Sequence, residues 1–359
     1  MMKRNLPIAL LGLGLAAPAF AQGNVTIYGL LDAGVSRVSN QNGGPMTKLD
    51  DGVYTPSLLG FRGNEDLGNG MQALFLLETQ LELGTGGTIP APSMFWRQSY
   101  VGLSSPGLGK LTLGNQFDFM WDNLAPALND PAVLAGGLYN FSGGPFSKLG
   151  IPKNLTGGLG WDRTAGERVA NTVKYETPSF GGFVLGGLYG LSEGQGDRTV
   201  SAGARYSQGP LGIGAAYTKV DYRLPGVPEV SIRNWGLGGH YVFGAVIGSA
   251  LVTSARNEQS GASVHQARVG AKWSFSGPWA VGAAYAYMKG NAQVDDNHAH
   301  QIGTTLSYSF SKRTLAYVQG VYQKANAGAK AHIMGVMDPL GASSTSSQSI
   351  LRMGVWTAF

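Results

Sequence analysis

The chain of 359 residues contains no cysteine, which removes disulfide frameworks, thiolate zinc sites and catalytic thiols from consideration. Charge is scarce: 13% of residues are charged, and 26 basic against 21 acidic side chains leave a net charge of +5. The basic residues are scattered, not in runs, which speaks against a nucleic-acid-binding arm and for solvated or pore-lining charge. No apolar run after residue 21 approaches the about 20 residues a membrane-spanning helix needs. Helical periodicity is almost absent from residue 22 onward. What is abundant is glycine, 56 residues without the three-residue period of collagen.

Residues 1–21 have the plan of a secretory signal peptide. Lys3 and Arg4 supply the positive start, the stretch from Leu6 to Ala17 the apolar middle, and Ala19-Phe20-Ala21 an A-x-A cleavage site. The expected domain organisation is a signal peptide over 1–21 and one barrel over 22–359. With no later apolar helix, any membrane role falls to strands.

Two-residue alternation recurs along the rest of the chain. From Val264 to Phe275 one parity reads Gln266, Arg268, Gly270, Lys272, Ser274, and the other Ala267, Val269, Ala271, Trp273, Phe275. An extended strand sends those sets to opposite faces, one wet and one apolar. Ile302, Thr304, Leu306, Tyr308 and Phe310 likewise oppose Gln301, Gly303, Thr305, Ser307 and Ser309. The apolar side repeatedly ends in aromatics, as in a lipid-facing band with interfacial girdles.

Short turns, near 64–69, 105–109, 178–182, 208–210, 243–245, 276–278 and 311–312, alternate with longer polar loops. Those loops cover 40–56, 84–93, 117–167, 192–197, 222–230, 257–263, 291–297 and 325–346. The fifteen connections imply about sixteen strands, an even number with short turns on one rim and long loops on the other. Closure into a barrel satisfies every backbone hydrogen bond in lipid, and about sixteen strands leave an aqueous channel. The soluble competitor, a secreted β-sandwich or solenoid, would need a dry interior, whereas one parity here is rich in Gly, Ser, Thr, Gln, Arg and Lys.

Several segments resemble the general porins of betaproteobacterial type. They include the stretch from Val25 to Gly34, the run Leu59-Gly60-Phe61-Arg62-Gly63-Asn64-Glu65-Asp66-Leu67-Gly68-Asn69-Gly70, and Arg97-Gln98-Ser99-Tyr100-Val101-Gly102-Leu103. Asn171-Thr172-Val173-Lys174-Tyr175 before Pro178-Ser179-Phe180-Gly181-Gly182, and a last strand ending in Phe359, complete the set. The resemblance implies an all-β, transmembrane antiparallel β-barrel of sixteen strands in the outer membrane of a Gram-negative bacterium. It also implies a homotrimer that passes ions and small hydrophilic solutes passively and uses no cofactor. Contact with outer-membrane lipid and lipopolysaccharide, and recognition of Phe359 by the barrel-insertion machinery, follow from it too. The third connection, 117–167, is expected to fold into the pore. Its length calls for a place to pack, and Phe117, Phe119, Trp121, Leu124, Phe141 and Leu149 suit a wall.

Selectivity in a wet pore depends on its radius and its lining charges. Parity assigns Arg62, Arg97, Lys110, Lys174, Arg205, Arg268, Lys272 and Arg352 to the lumen, with Asp32, Glu78 and Glu176 as wall acids. Arg97 shares the parity of Val101 and Leu103 and is placed inward on the expectation that Trp96 and Tyr100 face outward. The third loop adds Asp118, Asp122 and Asp130, with Asp162 and Glu167 near its end, partly offset by Lys148, Lys153 and Arg163. Arginines facing loop carboxylates would set a field across the constriction, and the excess of wall cations leans the pore toward anions. Leu58 stands where the family often carries an arginine, which would make the constriction locally more apolar.

Three other readings stay open. A barrel-borne hydrolase would need a histidine-assisted nucleophile or an activated water; His298 and His300, after Asp295 and Asp296, form the most enzyme-like cluster, one whose spacing also suits a divalent metal. A substrate-selective channel for carboxylates, phosphate or sugars could use an aromatic track of Tyr28, Phe117, Phe119 and Trp121. The long loops also permit an adhesin role.

Overall fold

The computed structural model describes residues 24–88, 94–152, 154, 160–191, 197–335 and 341–359. The expected signal peptide and Lys153 lie outside the described residues. The first half of the chain forms β1 (Asn24–Gln41), β2 (Gly44–Asp51), β3 (Leu58–Gly68), β4 (Met71–Glu82), β5 (Gly87–Thr88), β6 (Gln98–Ser105), β7 (Gly109–Phe117), β8 (Arg168–Glu176) and β9 (Phe183–Gly190). The second half continues with β10 (Arg198–Gln208), β11 (Leu211–Tyr222), β12 (Val230–Phe243), β13 (Val246–Asn257), β14 (Ser263–Ser276), β15 (Trp279–Gly290), β16 (His298–Ser311), β17 (Thr314–Ala325) and β18 (Ser347–Ala358).

All pairings are antiparallel, and β1 closes on β18 from Leu30 opposite Ala358 to Val38 opposite Ile350. Seventeen of these strands make up the sixteen staves of the barrel. β2 and β3 both pair with β1 and are two halves of one stave, parted by residues 52–57. β5 is a two-residue flap on β4. Much of the expected loop 40–56 is therefore strand: Asn42 and Gly43, both at positive φ, close a long hairpin as an Asn-Gly turn does. The two-residue connections Gly209-Pro210, Gly244-Ala245 and Gly277-Pro278 place glycine at positive φ in their first position, the geometry that tight hairpins require.

The alternation sorts as expected between lipid and lumen. Val101, Leu103, Leu111, Leu113, Leu237 and Val269 are exposed on the outer face, whereas Thr112, Asn234, Gln266 and Arg268 from the opposite parity are buried inside. Much of what covers them is the third loop. It carries α1 (Phe119–Asp122) and α2 (Pro131–Leu134), each N-capped by an aspartate, Asp118 and Asp130. Phe119, Met120 and Leu124 pack with Leu188, Ala216 and Leu251 of the wall.

Glycines on the inner wall make this approach feasible. A Cβ at Gly238 would come within 2.6 Å of the Asn129 carbonyl oxygen, and one at Gly270 within 2.8 Å of Pro131. The last long loop also turns inward: Gly144 N donates to His332 O at 2.7 Å, and Ile333 N to the Gln348 side chain at 2.7 Å. The two loops thus brace each other against β9–β18.

Candidate functional site: the constricted lumen

The third loop lies against one side of the barrel and leaves the wall of β1, β3, β4, β6, β7 and β8 facing its leading edge. That wall carries a ladder of polar groups. Arg62 is exposed to the lumen, its guanidinium 5.1 Å from the Tyr28 ring. Tyr28 donates to Glu78 at 2.6 Å, Gln98 donates to Glu78 at 2.9 Å, and Arg97 is 3.4 Å from the same carboxylate. Toward the short-turn rim, Glu176 receives Arg205 at 2.5 Å and Lys110 at 3.5 Å. Lys174 pairs with Asp122 at the front of the loop and donates to Phe117 O at 3.0 Å.

Arg168 joins this set, although it is not among the lumen residues expected from the sequence. It stacks 4.0 Å above Trp96 and 4.9 Å from Phe117, and Arg97 also lies over Phe117, at 5.2 Å. The Nε atoms of both arginines are buried without a hydrogen-bond acceptor, so two cations share one aromatic ring. Arg168 has the same parity as Lys174, but it stands at the loop–strand junction, before Asn171 at positive φ and a register shift opposite Gly114 and Gln116 interrupt the alternation.

The structure corrects several expectations. Asp118 and Asp130 do not face water; both are fully buried. Asp118 caps α1 and pairs with Arg163 at 2.5 Å, and Asp130 caps α2 and pairs with the buried Arg268. They fasten the loop to itself and to the wall because a buried carboxylate needs a cation and donors to replace water. Burial pushes the Asp130 and Asp122 carboxyls up, with Arg268 and Lys174 pulling them back. Asp162 is likewise internal, accepting from Ser142 at 2.6 Å and Thr253 at 2.9 Å. Of the loop aspartates, Asp122 is the one that reaches the aperture.

Asp32 and Arg352 also leave the lumen. They form a buried pair at 3.4 Å joined by Tyr317, while Asp32 accepts from Val53 N at 2.7 Å and Tyr54 N at 2.9 Å. This network fixes the break between β2 and β3 and, through Tyr139 bonded to Asp50 and Ser36, seats the loop. Lys272 is half-buried on the inner face of β14 without an ion-pair partner among the described residues. Leu58 is buried at 4% exposure, so it adds no apolar patch to the water path.

Tyr100 faces the lumen beside Lys110, whose ammonium is 5.9 Å from its ring, while Val101 and Leu103 face lipid. Arg97 points inward because it precedes β6, outside the alternation of the strand. Phe117 and Phe119 are buried, which breaks the expected aromatic track. Lys148 and Asp295 pair at 2.6 Å on the exposed rim, and Glu167 lines a vestibule of about 540 Å³ with Arg163 and Arg168. His298 and His300 point outward, with ring centroids 6.2 Å apart beside Tyr287. Among the described residues no group of three or more His, Cys, Asp or Glu side chains could hold a metal ion.

A closed barrel whose lumen is wet, charged and narrowed by an internal loop defines the class of outer-membrane diffusion channels. The sequence profile of the Gram-negative porins matches residues 8–328. The chain is 31% identical over 332 residues to outer membrane porin protein 32 of Delftia acidovorans, covering 88% of each protein. It is 30% identical over 277 residues to an outer membrane porin protein of Bordetella pertussis, covering 68% of this chain and 67% of that one. Among solved structures, an anion-selective porin from Comamonas acidovorans superposes with a TM-score of 0.80 at 26% identity, over 94% of this chain and all of that one. The trimer form of OmpT from Vibrio cholerae reaches 0.69 at 15% identity and shares the fold. The chain belongs to the Gram-negative porin family: it is an outer-membrane channel for passive diffusion of ions and small hydrophilic solutes, and its curated relatives are porins.

Proposed function

We propose that this porin leans toward anions, assembles as a homotrimer and catalyses no reaction. The observation that carries the selectivity is the charge balance at the aperture. Arg62, Arg97, Lys110, Arg168, Lys174 and Arg205 line it against Glu78, Glu176 and Asp122. With the other loop aspartates consumed in anchoring, cations exceed carboxylates, and low-dielectric walls concentrate their field on a passing ion. The anion-selective neighbour from Comamonas acidovorans supports the same sign.

The trimer reading draws support from the trimer form of the Vibrio neighbour. In this reading residues 1–21 direct export and are removed, and Phe359 serves the insertion machinery. The reversal potential of the purified protein in a potassium chloride gradient tests the selectivity. It takes the sign of chloride permeation if the aperture cations dominate; the sign of potassium permeation would defeat the proposal.

A further inference from the structure

The vestibule of about 540 Å³ lies off the path of ions through the aperture. It is a recess between the returning limb of the third loop and the wall of β8–β12, with Glu167 and Arg168 on one side and Thr199, Tyr222, Ile232 and Asn234 on the other. One step further down the same wall α1 closes it. Phe119 N donates to Ser201 Oγ at 3.2 Å, and Phe119, Met120 and Leu124 pack on Leu188, Ala216 and Leu251. The recess therefore ends blind below and reaches upward to Leu191 and Asp197, at the long-loop ends of β9 and β10.

Three polar groups that line it are left without partners. Glu167 is half-buried and makes no ion pair among the described residues. Arg168, next to it in the chain and also half-buried, has no carboxylate within ion-pair distance among the described residues; it lies 4.0 Å over Trp96, and its Nε has no acceptor. On the facing wall Asn234 is 1% exposed and donates through Nδ2 to Trp161 O at 3.0 Å. That bond orients the amide, and Oδ1 is left with no donor. Buried polar groups are normally hydrogen-bonded, and charges taken from water are normally paired. The neighbouring ionic groups follow that rule: Arg163 pairs with Asp118 at 2.5 Å, and Asp197 accepts from Arg223 N at 3.1 Å.

A cation beside an anion, with a lone acceptor across from them, is the complement of a zwitterion that carries a further donor. We propose that the recess binds a small α-amino acid with an amide side chain. Arg168 receives its carboxylate, Glu167 its ammonium, and Asn234 Oδ1 accepts from its side-chain amide. Stacking on Trp96 occupies the face of the guanidinium and leaves its edge for the carboxylate, the geometry in which arginine binds such groups best. Adjacent residues carry the two site charges, as adjacent groups carry them on the amino acid. Val220 and Ile232, both buried, give the methylenes an apolar wall. A simple anion or cation would satisfy one of the three groups and strand the others.

The test titrates the detergent-solubilised porin by isothermal calorimetry with three probes. They are L-glutamine, glutaramic acid, which lacks the ammonium, and 4-aminobutanamide, which lacks the carboxylate. Glutamine binds saturably, and each analogue binds at least about tenfold more weakly, the scale of a lost hydrogen bond between charged groups. Glu167→Gln weakens glutamine by a similar factor and leaves glutaramic acid unchanged. Arg168→Gln weakens glutamine and glutaramic acid and leaves 4-aminobutanamide unchanged. Circular dichroism confirms a folded barrel in each variant. No saturable binding of glutamine, equal affinity for the three probes, or wild-type glutamine affinity in Glu167→Gln overturns the proposal. The inference takes only the solute's access to the lumen from the channel reading, which bilayer conductance tests separately: a conducting porin that does not bind glutamine overturns the recess alone.

Discussion

The Asp130–Arg268 pair ties the third loop to the wall with both side chains fully buried, and Asp130→Asn isolates its charge. Asparagine caps a helix as well as aspartate does, so the bond to Ala132 N, 2.9 Å in the native chain, persists. What disappears is the carboxylate facing a guanidinium of zero side-chain exposure. Arg268 is then left with Ser142 Oγ at 3.0 Å and Gln266 Oε1 at 3.2 Å, neither charged. Breaking a buried pair from one side costs about 3–5 kcal/mol. At the lower bound the population with the loop displaced rises by about two decades, and limited proteolysis that follows this population accelerates at least about a hundredfold. Open-channel noise should rise with it. Adding Arg268→Gln removes the stranded charge and should recover most of the loss, as apolar or neutral replacements of whole buried pairs do. Nicking of the third loop at the wild-type rate in Asp130→Asn would refute the view that this pair anchors it.

Other perturbations address the remaining elements. Arg97→Ala with Arg168→Ala removes two of the six aperture cations; at about 6 Å and an effective dielectric near 40, each contributes about 0.8 kcal/mol after screening. Together they amount to about 1.6 kcal/mol, so the chloride-to-potassium permeability ratio should fall at least about fifteenfold, read as a shift in reversal potential. Gly238→Val forces a side chain toward the Asn129 carbonyl and should raise conductance and noise by pushing the loop off the wall, without loss of the barrel in circular dichroism. Deleting Phe359 removes its reciprocal backbone bonds with Gly29, both 3.1 Å, and should lower the yield of heat-modifiable folded barrel in the membrane fraction.

The barrel is legible in the sequence because lipid on one side and water on the other impose a period of two, and the chain obeys it from β1 to β18. Arg62, Lys110, Lys174, Glu78 and Arg205 lie on the inward faces of their strands. Counting fails where backbone geometry departs from a regular strand. Arg97 does reach the lumen, but the outward place expected for Tyr100 is wrong, because the chain before β6 does not alternate. Arg168 escapes the count at a junction disturbed by Asn171. The loop aspartates mislead for another reason: alternation says which wall a strand residue joins but nothing about a loop's path. The capping positions are nevertheless readable, since Asp130 precedes Pro131 and an aspartate before a first-turn proline marks a helix start. Asp32 and Arg352 have the right parity and yet are covered, because the segment 52–57 between β2 and β3 and the third loop close over them.

Planar-bilayer recording of the purified wild-type protein tests most directly whether the lumen is an open, water-filled path past the loop. Stable ohmic channels that close in three equal steps are the predicted result. Insertion of folded barrels without conductance would contradict it.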